Sequence, residues 1–230
     1  MTRRAHVLVV VLLGCAAGAR AAVIGPREQK GEFESLADRL RSTVIEVRAT
    51  AAVVVPGANS APEVLQTPSF GTGVLLGDGL AVTTLHTVGV VLPGRMTAWS
   101  DIEASVPDLG KVAAQVVAWF PELDLAVIRL EGAASIGAAP LGTETPGAGE
   151  LLIAMGVDED AVRVVGVTVA GVSGDQLILA SSRRIDSRYW GGPVFDLKGR
   201  LVGISLPSPT PKALTSVAFG TLLDRVRGQL

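Results

Sequence analysis

Short apolar runs rich in β-branched residues recur along this chain, punctuated by glycine, proline and aspartate. From Phe70 onward they fall at 74–76, 80–84, 96–99, 112–118 and 125–130, then at 151–155, 163–169, 176–180, 194–195, 201–206 and 215–218. Runs of this length and composition predict strands. The two series are separated by 131–149, a stretch rich in Gly, Ala and Pro that reads as a connector. Upstream, Phe33, Leu36, Ala37 and Leu40 recur at helical spacing within 32–43 and predict a short amphipathic helix. It leads into Val44, Ile45, Glu46, Val47 and Arg48, which alternate as a strand. Residues 56–69 carry Pro56, Gly57, Asn59, Pro62, Pro68 and Ser69 and read as a loop. At the far end Leu222, Leu223 and Val226 give 221–229 one apolar helical face. The pattern predicts an all-β fold of two packed β-barrels with short N- and C-terminal helices. The first barrel is expected at about 44–131, the connector at 132–149 and the second barrel at about 150–220. No solenoid period is present.

The first 21 residues stand apart. Arg3 and Arg4 precede an apolar run from Val7 to Leu13, and small residues end in Ala19-Arg20-Ala21. That is the layout of an export signal cleaved after Ala21, and the apolar run is too short to span a bilayer. Leu12-Leu13-Gly14-Cys15 offers another route, because it resembles a bacterial lipobox in which Cys15 carries the lipid. Plain cleavage is the preferred reading, with Cys15 a small apolar residue of the signal. It leaves a chain without cysteine, so disulfides contribute nothing and the fold must rest on its core. The expected location is periplasmic or secreted, with lipid anchoring in the envelope as the alternative. No later stretch is apolar and long enough for a transmembrane helix.

Charge and composition exclude more than they suggest. With 20 basic and 22 acidic residues, the chain has no electrostatic footprint for nucleic acid. Aromatic residues make up only 4% of the chain, so the core must be mostly Val, Leu, Ile and Ala. Scattered carboxylates without ligand spacing predict no metal site, and Gly71-Thr72-Gly73 lacks the spacing of a phosphate loop. No cofactor is expected.

Three segments carry candidate chemistry. Phe70-Gly71-Thr72-Gly73-Val74 precedes Val82-Thr83-Thr84-Leu85-His86, and the one other histidine, His6, lies in the signal. Glu122-Leu123-Asp124-Leu125-Ala126-Val127 places an acid just before a strand. Ser187-Arg188-Tyr189-Trp190-Gly191-Gly192-Pro193-Val194-Phe195 is followed by Gly199, Val202, Gly203 and Ile204. Taken singly, His86 reads as a structural histidine, Asp124 as a turn cap and Gly191-Gly192-Pro193 as an ordinary turn.

Taken in this order, the segments resemble the trypsin-like serine proteases, and the HtrA/DegP-type proteases in particular, from about residue 33 to the C-terminus. The resemblance implies a chymotrypsin-type double β-barrel with His86 and Asp124 as two members of a catalytic triad. It implies a nucleophile loop supported by Gly191, Gly192 and Pro193. The order of His, Asp and nucleophile loop is that of chymotrypsin, not of subtilisin or the α/β-hydrolases. No PDZ-like pattern follows, which removes the usual reason to infer a trimeric quality-control machine.

At the nucleophile position stands Trp190. Indole has one N–H donor and no usable lone pair or ionisable proton, so it cannot form an acyl-enzyme. Family oxyanion holes use the N–H of the nucleophile and that of a glycine two residues earlier, which is Arg188 here. A non-glycine residue there implies a misformed hole. The expectation is therefore an exported, catalytically inactive protease homologue that binds a peptide or protein partner along the former substrate cleft. One alternative is an atypical serine endopeptidase using Ser187 with His86 and Asp124. That would require Arg188, Tyr189 and Trp190 to be an insertion in a tight turn. The other is a lipid-anchored structural envelope protein.

Overall fold

The structure is a computed structural model and describes residues 26–55, 63–92, 95–159, 161–208, 213–218 and 220. The signal, Cys15 and the expected closing helix over 221–229 lie outside the described residues. Helix α1 (Pro26–Leu40) leads through a 3₁₀ turn (Arg41–Thr43) into the first strand. The expected helix over 32–43 therefore starts earlier and stops at Leu40. The Thr43 hydroxyl donates to the Leu40 carbonyl at 2.7 Å, occupying an acceptor that the helix end leaves open.

The first barrel closes in the order β1 (Val44–Val55), β2 (Glu63–Gly77), β3 (Leu80–Thr84), β8 (Leu125–Leu130), β7 (Gly110–Phe120) and β6 (Ser100–Val106). A helical turn, α2 (Leu85–Val88), and a two-stranded ribbon of β4 (Gly89–Leu92) and β5 (Arg95–Ala98) follow β3. The second barrel runs β10 (Ala161–Ser173), β11 (Gln176–Ala180), β14 (Ala213–Ala218), β13 (Leu201–Leu206), β12 (Pro193–Phe195) and β9 (Leu151–Asp158). Every strand pair in both barrels is antiparallel.

Two elements differ from the sequence expectation. Residues 63–69, expected in a loop, continue β2 and pair with β1, from Pro68 opposite Thr50 to Glu63 opposite Val55. Pairing of β1 with β6 stops at Thr50, so Pro68 lies where the ribbon leaves the barrel. A proline that lacks an N–H is tolerated at such an edge. Strand β6 was not expected, because only Ile102, Ala104 and Val106 mark its inner face.

Three apolar clusters explain the long buried runs. One fills the first barrel with Ile45, Val47, Leu75, Ala126 and Ile128, and one fills the second with Leu152, Ala154, Leu177, Leu179 and Val194. The third lies between the barrels. There Val44, Val74, Leu125 and Val127 meet Ile153, Met155, Phe195 and Ile204, with Leu36 and Leu40 of α1 against them. Successive strand residues point to opposite faces, so β1, β8 and β9 feed both their own barrel and the seam. In β8 and β9 this double burial turns the expected alternation into near-continuous apolar sequence.

Phe195 is fully buried at the seam, whereas Leu197, two residues on, is 49% exposed. Phe195→Ala is expected to lower unfolding stability by about 3–5 kcal/mol, and Leu197→Ala by at most about 0.5 kcal/mol. Urea titration followed by circular dichroism reads both, with an unchanged slope marking a pure stability effect.

Candidate active site

Strand β3 ends at Thr84 and delivers His86 on the single turn of α2. The backbone of Leu85 donates to the Asp124 carbonyl at 2.8 Å, which fixes this turn against the start of β8. Asp124 itself ends a 3₁₀ turn (Pro121–Leu123) in the left-handed region, φ 52°. Aspartate tolerates that conformation better than most residues. Its carboxylate then meets His86 twice. Oδ2 lies 2.6 Å from His86 Nδ1, and Oδ1 accepts from the His86 backbone N–H at 3.1 Å. A carboxylate oxygen only accepts, so in this contact Nδ1 is the donor and Asp124 orients the ring. Both side chains are more than a third exposed, and the pair contributes orientation more than stability.

Trp190 faces this pair from the other barrel. Its ring and that of His86 are 5.7 Å apart between centroids at an interplanar angle of 79°, an edge-to-face contact. The indole also packs, with Tyr189, against the core of the second barrel. Burial pushes the Tyr189 phenol above its ordinary pKa.

The loop carrying Trp190 is held from both sides. Gly191 has φ 79°, where an L side chain is strained, and a Cβ there would strike the Thr72 carbonyl. A Cβ on Gly192 would strike the Met155 carbonyl. Gly191 N–H donates to the Ser205 carbonyl, and Ser205 N–H donates back to Gly192, both at 2.8 Å. Pro193 opens β12 opposite Ile204. From the first barrel, Thr72 N–H donates to the Trp190 carbonyl at 3.0 Å. The buried Thr72 hydroxyl donates to the Arg188 carbonyl at 2.6 Å and accepts from Val157 N–H at 2.9 Å.

Residues Ser187–Tyr189 form a 3₁₀ turn rather than an extended loop. Asp186 caps it, accepting the Arg188 backbone N–H on Oδ1 at 3.2 Å. Trp190 N–H donates to the Ser187 carbonyl at 3.0 Å. Arg188 has no positive φ, so its side chain imposes no backbone strain here. Its guanidinium reaches Asp158 at 2.6 Å and Asp186 Oδ1 at 3.0 Å, with a second bond to Asp186 Oδ2. Hydrogen bonds from Arg188 hold both carboxyls below the ordinary aspartate range. The Ser187 side chain has no hydrogen bond to His86 among the described residues. Ser187 lines a separate depression with Glu46, Arg48, Phe70 and Asp158.

The structure thus brings His86, Asp124 and Trp190 together and places Ser187 in a depression that none of them lines. Sequence reasoning passed over Thr72, Asp158 and Asp186 as partners of the loop. Thr72 lies inside the Gly71-Thr72-Gly73 motif, which was a usable signal. Asp158 lies 30 positions from Arg188, and no local pattern links the two. Among the described residues no group of three or more His, Cys, Asp or Glu is placed to hold a metal. No described helix is long and apolar enough to cross a membrane.

Two closed six-stranded barrels with a His–Asp pair at their seam define a double barrel of the chymotrypsin type. Residues 71–204 match the trypsin-like peptidase domain, and the chain belongs to that family. Its fold is HtrA-like. It is similar to a variant of the HtrA-type protease AlgW solved with a decapeptide, with a TM-score of 0.71 and 18% identity over 85% of this chain and 66% of that one. It is also similar to the active form of the Rv3671c protease from M. tuberculosis, with a TM-score of 0.66 and 15% identity over 95% and 93% of the two chains. The inactive form of Rv3671c gives a TM-score of 0.62 and 14% identity over 85% and 92%. No curated protein matches the sequence.

Two outcomes follow from this geometry. Thr72→Val removes the donor to Arg188 and the acceptor for Val157 and should cost about 1–3 kcal/mol. Thr72→Ser should retain most of that, as read by chemical denaturation. Because Arg188 depresses the Asp158 and Asp186 midpoints, its contribution to stability is complete above the unfolded aspartate midpoint. It is lost as pH falls through the lower folded ones. Arg188→Gln should move both midpoints up toward ordinary values in a carboxyl NMR titration.

Proposed function

We propose that this chain is a non-catalytic member of the family, with His86 and Asp124 retained and Trp190 at the nucleophile position. The observation that carries the reading is the fate of two backbone donors. Oxyanion stabilisation in this family uses the N–H groups at positions 188 and 190. Here one donates to Asp186 and the other to Ser187. A donor already satisfied inside its own loop does not face a developing oxyanion. The indole against His86 adds a second obstacle, since it has no proton that His86 could take to generate a nucleophile.

With cleavage absent, binding is the use that remains for the cleft. An extended peptide or partner segment would lie along the former substrate cleft, held by main-chain bonds. AlgW, solved with a decapeptide, shares the fold and lends support. The pattern of residues 1–21 favours an exported protein, periplasmic or secreted, with lipidation of Cys15 as the alternative.

The test is repair. The wild-type chain should neither hydrolyse an unstructured protein nor react with a fluorophosphonate. Trp190→Ser alone should remain inactive or nearly so, because both hole donors stay engaged within the loop and the loss of even one costs roughly 10²–10³ in rate. Arg188→Gly combined with Trp190→Ser should exceed either single variant, since attack and oxyanion stabilisation act as a unit. Robust hydrolysis by Trp190→Ser alone would overturn the account of the hole. Wild-type labelling that disappears on Ser187→Ala would instead establish Ser187 as a nucleophile.

A further inference from the structure

Two of the chain's three tryptophans line one surface depression on the first barrel, in a protein with only 4% aromatic residues. The depression lies between β6 and β7 and has a volume of about 390 Å³. Trp99 and Trp119 line it, together with Asp101, Ile102 and Gln115. Trp99 has a structural role, because it packs on the barrel core and its indole N–H donates to the His86 carbonyl at 3.2 Å. Trp119 has no comparable role. Its neighbours Ala118 and Phe120 point inward, and Trp119 is 42% exposed.

The charge of the depression selects its occupant. Asp101 is the single ionisable side chain in the lining, and no lysine or arginine joins it. Its backbone is left-handed, φ 51°, and its carboxylate makes no ion pair among the described residues. Arg129 lies on β8 opposite Gln115, outside the lining. Indole faces carry negative electrostatic potential and attract cations, more strongly than other aromatic rings do. A carboxylate beside two indoles suits a positively charged group that also has apolar surface. A strongly hydrated metal ion would find a single carboxylate there, short of the several oxygen ligands it needs.

We propose that this depression is a binding site for an organic ammonium group, seated against Trp99 and Trp119 and paired with Asp101. Trp190 is not part of it, although Trp99 ties its wall to the His86 turn. The shared chemistry is an alkylated or primary ammonium, carried by a choline-type group or by a lysine side chain.

The test uses the indole N–H resonances of the whole chain, where three tryptophans give three signals. Choline and a lysine-containing tripeptide are titrated separately. At least one should shift the Trp99 and Trp119 signals saturably and leave that of Trp190 in place. The tighter of the two identifies the source. The uncharged isostere 3,3-dimethylbutanol should bind at least tenfold more weakly. Trp119→Ala and Asp101→Asn should each weaken binding at least tenfold with unchanged thermal midpoints, since one side chain is exposed and asparagine tolerates left-handed backbone. Equal binding of the isostere, saturation by a neutral oligosaccharide alone, or no saturable shift with either ammonium overturns the proposal.

Discussion

Strands β1, β8 and β9 are buried on both faces, and the site depends on that double burial. Each sends alternate side chains into its own barrel and into the seam, so the two barrels cannot slide without exposing Ile153, Met155, Val127 and Phe195 together. The seam is therefore a fixed boundary. His86 and Asp124 are presented at its edge by the ends of β3 and the start of β8, neighbouring strands paired from Leu80–Arg129 to Thr84–Leu125. The Trp190 loop arrives from the opposite barrel onto the same edge.

Crossing the seam demands close backbone approach, which explains the glycines and the buried hydroxyl. Gly191 and Gly192 lie against the carbonyls of Thr72 and Met155, where a side chain has no room. The fully buried hydroxyl of Thr72 satisfies one group from the loop and one from β9. Around this fixed support the 187–190 segment closes on itself as a 3₁₀ turn, capped by Asp186 and clamped by Arg188 to Asp158. Side chain, cap and clamp agree on one conformation, which is how a sequence specifies a stable local state. On the proposed reading, inactivity belongs to this self-satisfied turn as much as to the indole.

Much of the site was legible because its parts are local. His86 after a β-branched strand, Asp124 before another and Gly191-Gly192-Pro193 at the head of a third each span a few residues, bland singly and distinctive in their order. The amphipathic face of α1 was equally plain, since Phe33, Leu36, Ala37 and Leu40 recur at its period. Strand β6 and the extension of β2 were not. The first has only three inward apolar residues among polar ones, and the second is a ribbon whose strand character comes from its partner and not from its own proline-bearing sequence.

The sequence by itself determined the class of fold, and its resemblance to the trypsin-like proteases singled out His86, Asp124 and Trp190. The strand pattern follows from periodicity and the inability of an indole to attack from residue chemistry, and neither needs knowledge of distant partners. The tertiary structure alone decided how the Trp190 loop folds. The expected reason for a misformed hole was strain at a non-glycine residue, yet Arg188 has no positive φ. Its N–H and that of Trp190 are instead occupied by acceptors within a helical turn. The clamp on that turn comes from Asp158, at the far end of a strand and 30 positions away. The acceptors of those two N–H groups are local, but the Thr72 hydroxyl that holds the Arg188 carbonyl comes from the first barrel, a contact that exists only once the two barrels have closed around their seam.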